Sequence, residues 1–186
     1  MPNIAAHYVC GKLVAKKLNI NDDNYIKGNI TPDYVDIKRH YRIKGRKFQI
    51  PDIEKFIRED NDENKIFKIG FMTHLLLDKL FLEDFVINNI YSNVGKSVNI
   101  FESDKIYKDY TNMSKRLLDH YNLTIDEIDE LMLKDKKLID IDKFRDNVDV
   151  IKESDSEELK YIDLNSFIEF LNASADKICE FLKIIL

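Results

Sequence analysis

Apolar residues return every three or four positions along most of this chain, the repeat of a helical face. Over residues 3–18, Ile4, His7, Gly11, Val14 and Leu18 fall on one side of a predicted helix. His7 is the polar member of that stripe. Residues 19–50 lose the period. Asn21-Asp22-Asp23 and Gly28-Asn29-Ile30-Thr31-Pro32-Asp33 carry turn-forming residues, and Lys38-Arg39-His40-Tyr41-Arg42 interleaves basic and aromatic side chains. This stretch reads as a long loop with room for one short helix, and long loops in compact domains often carry function. Pro51 opens a short predicted helix to Arg58, with Asp52 and Glu54 in its first turn where the helix dipole favours acid.

Residues 63–91 read as the central helix. Its apolar positions, from Ile66 and Phe67 through Leu75–Leu77 to Phe85 and Ile90, cover most of the circumference, so it is buried on most sides. Further helices are expected from about Ser103 to Tyr121, over Thr124 to Leu133 and over Asn165 to Ile185. Thr124-Ile125-Asp126-Glu127 matches a capping box. Residues 134–160 are dense in charge and show no clear period. Gly and Pro number only 5 and 3, which favours helices over many short strands. The expectation is an all-α fold in one domain, residues 1–186, with the chemistry within 1–92 and a helical C-terminal half over 100–186.

Charge narrows the classes of function. The formal net charge of −5 argues against broad electrostatic binding to nucleic acid or an anionic bilayer, although Lys38 to Lys47 forms a local basic stretch. Two cysteines, Cys10 and Cys179, supply neither a disulfide framework nor metal-type spacing. No secretory signal is visible, and charged residues interrupt the most apolar region, Ile66 to Ile90, so no membrane span is expected. These features together lead us to expect a cytoplasmic protein.

The chemistry concentrates on the central helix. His74 and Asp78 lie one turn apart on one face. An ionised Asp in such apolar surroundings is costly unless it is paired, hydrogen-bonded or bound to metal. The pair alone fits a structural His–Asp hydrogen bond as well as a divalent-cation site. The chain has four histidines, His7, His40, His74 and His120. His7, His40 and His74, with Asp33 and Asp78, offer three imidazoles and two carboxylates from three separate segments. That donor set suits one or two Zn²⁺-like ions.

Met1-Pro2-Asn3-Ile4-Ala5-Ala6-His7-Tyr8, Gly28-Asn29-Ile30-Thr31-Pro32-Asp33, His40-Tyr41-Arg42 and Thr73-His74-Leu75-Leu76-Leu77-Asp78 occur in that order. Over about the first 90 residues the chain resembles the bacterial zinc-dependent phospholipase C family, most closely its small intracellular relatives. The resemblance implies a multi-helix bundle of the phospholipase C/P1-nuclease type around a buried metal site. It also implies that Asp33, His40, His74 and Asp78 hold one ion, and that Asp78 bridges to a second ion held by His7. Secreted members complete a third site with a later His and an H-x-x-x-E pair, which this chain lacks. Asp84 and Glu102 are the candidate substitutes, and one or two ions are expected rather than three.

The implied activity is metal-dependent hydrolysis of a phosphoric ester, a phospholipase C-like phosphodiesterase acting on a small phosphoester or a lipid headgroup. Bound divalent ions lower the pKa of water and polarise phosphoryl oxygens. Asp33 or Asp78 would take the proton from that water. Arg39 and Arg42, with Lys44 nearby, would neutralise phosphate oxygens. The alternative is a non-catalytic metal-binding helical protein in which the ion serves structure or sensing.

Overall fold

Helix caps set the frame. In the computed structural model, which describes residues 2–35, 50–59, 64–91, 103–154 and 159–185, the described elements are helical throughout. The Asn3 side chain accepts the Ala6 N–H at 3.1 Å and starts α1 (Ile4–Leu18), which Asn19 closes in the left-handed conformation (φ 55°). The Asp22 carboxylate accepts the Asn24 N–H at 2.8 Å and starts α2 (Asp23–Ile30), followed by a 3-10 turn over Thr31–Tyr34. The first half of the expected loop over 19–50 is therefore helical. Its Asx residues act as a helix cap, a role that turn-forming composition alone does not distinguish from a loop. Residues 36–49 of that stretch lie outside the described residues.

α3 (Ile53–Glu59) begins two residues beyond Pro51, and Asp52 caps it by accepting the Lys55 N–H at 3.0 Å. Asn64 likewise caps α4 (Lys65–Leu80). The central helix does not remain α-helical to its end. From Phe81 to Tyr91 it is wound as a wider π-helix with i→i+5 bonding. At its start Phe81 and Phe85 stack, with ring centroids 5.6 Å apart and both rings buried.

The C-terminal half contains α5 (Ser103–His120), α6 (Ile125–Leu133), α7 (Ile141–Glu153) and α8 (Leu164–Ile185). The Thr124–Glu127 capping box forms as the sequence pattern predicts. α7 lies inside the charged stretch that shows no period. Only Phe144, Val148 and Ile151 of its residues are buried, so solvated charges mask its narrow apolar stripe.

α2 and α4 form the most extensive helix pair, and α1 lies across both and against α8. The α2–α4 approach depends on two glycines. A Cβ on Gly28 would sit 2.0 Å from the Phe67 carbonyl oxygen, and one on Gly70 would sit 1.9 Å from that of Tyr25. Each helix therefore presents bare backbone to the other. Beside this contact the Tyr25 hydroxyl and Thr73 Oγ1 share a buried hydrogen bond of 3.0 Å. Further along, Phe81 and Phe85 meet Phe167 and Phe170 of α8 in an aromatic cluster at centroid distances of 5.0–6.4 Å. Asp109 Oδ2 accepts the backbone N–H groups of Lys160, Tyr161 and Ile162 at 2.5–3.2 Å, which fixes the chain's entry into α8. No described helix is long and apolar enough to cross a membrane.

Because backbone cannot retreat as a flexible side chain can, Gly70→Ala is expected to destabilise the fold by about 3 kcal/mol or more. Denaturant unfolding measures this, and a change below about 0.5 kcal/mol would show that α2 and α4 are not in backbone contact.

Candidate metal centre

Three elements bring ionisable side chains to one point in the core. α1 contributes His7 from its first turn, where its N–H donates to the Asn3 carbonyl at 3.1 Å. The Asn3 side-chain amide in turn donates to the Tyr110 carbonyl at 3.0 Å and to Ser114 Oγ, anchoring this end of α1 to α5. α4 contributes His74 and Asp78 from successive turns. The 3-10 turn contributes Asp33. Lys143 Nζ donates to the Asp33 carbonyl, and the Asp140 N–H donates to the Tyr34 carbonyl at 2.7 Å, so the start of α7 holds this turn in place.

The cluster is dry on three sides. His7, His74 and Asp78 are 1%, 0% and 0% exposed, whereas Asp33 is 23% exposed. His7 Nε2 lies 3.4 Å from Asp78 Oδ1. His74 Nε2 lies 3.6 Å from Asp78 Oδ2 and 3.6 Å from Asp33 Oδ1. The two imidazoles stack with centroids 3.7 Å apart and planes 7° from parallel.

These separations exceed the 2.7–2.9 Å of a charge-assisted N–H···O hydrogen bond. They match the edge of a tetrahedral site, which for bonds of 2.0–2.1 Å is about 3.4 Å. One ligand atom each from His7, His74 and Asp78 falls within 4.8 Å of the others, so the group can hold a metal ion. Asp78 turns a different oxygen toward each histidine. The donor set and spacing fit a metal ion.

A residue that the sequence reading did not single out organises the cluster. His74 Nδ1 lies 2.8 Å from the main-chain carbonyl oxygen of Asn29. That carbonyl is available because α2 ends at Ile30. Three positions beyond Asn29, where a 3-10 turn would supply an N–H, stands Pro32, which has none. The Asn29 side-chain amide donates to the His7 carbonyl at 2.5 Å. The available signal was a polar residue between Gly28 and Ile30 in a segment that, read as helix, faces the core. Reading the segment as loop concealed it.

Of the five sequence-derived ligands, His7, Asp33, His74 and Asp78 are brought together. His40 lies outside the described residues, as do Arg39, Arg42, Lys44 and Glu102. Asp84 does not join the cluster: it is exposed and paired with Lys177 Nζ at 2.6 Å, because the π-helical segment carries it to the α8 surface. His120 is exposed at the end of α5. Cys10 is fully buried, and burial raises its thiol pKa well above the usual value, as expected of a core cysteine and not of a nucleophile. Tyr8 and Tyr34 serve packing, the first donating to Glu127 at 2.9 Å and the second meeting Phe144 edge-on. A cleft of about 590 Å³ is lined by Tyr34, Val35, Leu138 and Ile139 together with Lys137, Asp140 and Lys143; none of the four cluster residues lines it.

Comparisons with protein-family models, with curated proteins and with solved structures find no match to this chain.

Zn²⁺ binding to the folded state alone should stabilise the protein, by about 2.7 kcal/mol at a hundred times Kd. Thermal unfolding with Zn²⁺ and with a chelator should therefore differ for the wild type and coincide for His74→Ala and Asp78→Asn. A wild-type Tm insensitive to both additions contradicts the metal centre.

Proposed function

We propose that this chain is a divalent-metal-dependent hydrolase of phosphoric esters. The observation that carries the proposal is the asymmetry of the cluster. Three ligand-type residues are sealed in the core, and the fourth, Asp33, keeps partial access to solvent. A catalytic metal site needs such an open side, whereas a structural one is closed by protein ligands.

In this reading His7, His74 and Asp78 would hold the metal from its buried side, and the solvent side, next to Asp33, would stay open to water. When bound, a divalent ion lowers the pKa of water and stabilises the charge that develops on phosphoryl oxygens. Asp33 is the carboxylate placed to accept the water's proton, being both within the cluster and accessible. Asp78, fully buried, holds its position and supplies negative charge. Lys137 and Lys143 border the cleft and offer cationic groups to an anionic substrate. The order of His, Asp, His and H-x-x-x-D along the chain, which resembles the zinc-dependent phospholipase C family, supports phosphoester chemistry in particular. Lipid headgroups and soluble phosphoesters are equally compatible with this reading.

A second reading has one observation in its favour. The near-complete burial of His7, His74 and Asp78 is what a structural or sensing metal site would show.

Hydrolysis of bis(p-nitrophenyl) phosphate by metal-loaded protein separates the two readings. The hydrolase reading predicts turnover that is lost with a chelator, restored with Zn²⁺ or Mn²⁺, and reduced about a hundredfold or more in Asp33→Asn. Metal binding without turnover across a panel of phosphomonoesters and phosphodiesters would overturn it in favour of the structural site.

A further inference from the structure

Asn29 touches both histidines of the cluster through two different groups. It is fully buried near the end of α2. Its main-chain carbonyl faces His74 Nδ1 at 2.8 Å, and a carbonyl oxygen has no proton to give. The proton in that bond is therefore on Nδ1. A neutral imidazole carries one N–H, so Nε2 keeps its lone pair. Nε2 is also the atom turned toward Asp33 Oδ1 and Asp78 Oδ2. Asn29 thus selects the tautomer of His74 that can ligate at the cluster.

The side chain works on the other histidine. Its Nδ2 donates to the His7 carbonyl at 2.5 Å. This ties α1 to α2 at the residue whose ring stacks on His74. α1 makes room for the amide at Gly11, where a Cβ would sit 2.2 Å from Asn29 Nδ2. One residue therefore sets the spacing between the helices that carry the two imidazoles and the protonation pattern of one of them.

We infer that Asn29 is a positioning residue for metal binding, holding His7 in register through its side chain and fixing the His74 tautomer through its carbonyl. The inference rests on the metal-site reading of the cluster. Groups that orient metal-ligating histidines in this way are worth about tenfold to a hundredfold in affinity.

The test is a titration of metal-free protein with Co²⁺, followed through its visible ligand-field bands, in the wild type, Asn29→Ala and Tyr25→Phe. Tyr25→Phe removes the hydrogen bond to Thr73 from the same α2–α4 contact but touches no ligand. Asn29→Ala should raise the Co²⁺ Kd about tenfold to a hundredfold and alter the band shape. Tyr25→Phe should lower stability and leave both unchanged. In addition, ¹⁵N NMR of the metal-free wild type should show His74 protonated at Nδ1, a result that does not depend on any variant folding.

Wild-type affinity in Asn29→Ala, an equal loss in both variants, or an Nε2–H tautomer for His74 would each overturn the inference while leaving the metal site standing. A wild type that takes up no Co²⁺ would instead overturn the metal site itself, and the role of Asn29 with it.

Discussion

The bare-backbone crossing of α2 on α4 governs the geometry of everything at the candidate centre. Gly28 meets the Phe67 carbonyl and Gly70 meets the Tyr25 carbonyl, so two helices approach where any side chain would force them apart. That close approach lets a main-chain carbonyl of α2 accept a hydrogen bond from the short imidazole side chain of α4. The Asn29–His74 contact follows from it, and so does the position of the 3-10 turn that carries Asp33. Close packing at the crossing is thereby translated into the orientation of an imidazole.

The second constraint is electrostatic. Asp78 sits in the core with no exposure to solvent, and an ionised carboxylate there requires compensating charge. Two histidines stand beside it, His7 Nε2 at 3.4 Å and His74 Nε2 at 3.6 Å. A cation held among these atoms would compensate that charge while using the neutral form of each imidazole. A buried set of nitrogen and oxygen donors would suit an ion that sheds its water.

The helical character of the chain was legible from its period wherever apolar stripes are broad, as in α1, α4 and α8. It was hidden in α7, whose stripe consists of Phe144, Val148 and Ile151 among charges, and in α2, whose Asx cap resembles a turn. The π-helical winding after Leu80 has no signature in composition. At the candidate site, ionisable residues on apolar faces stood out because their burial is costly. His74 and Asp78 were recognisable from their spacing, and His7 from its place on an apolar stripe. Asn29 was not, because its contribution runs through a main-chain carbonyl and a helix contact that only the assembled fold creates.

The most direct test of the metal centre is anomalous diffraction at the zinc absorption edge from crystals of the full chain grown with Zn²⁺. The predicted result is an anomalous peak among His7 Nε2, His74 Nε2 and the Asp78 carboxylate, with bonds of about 2.0–2.2 Å and His74 Nδ1 still on the Asn29 carbonyl. Absence of a peak there, with the histidines instead hydrogen-bonded directly to Asp78 at about 2.7–2.9 Å, would contradict the account.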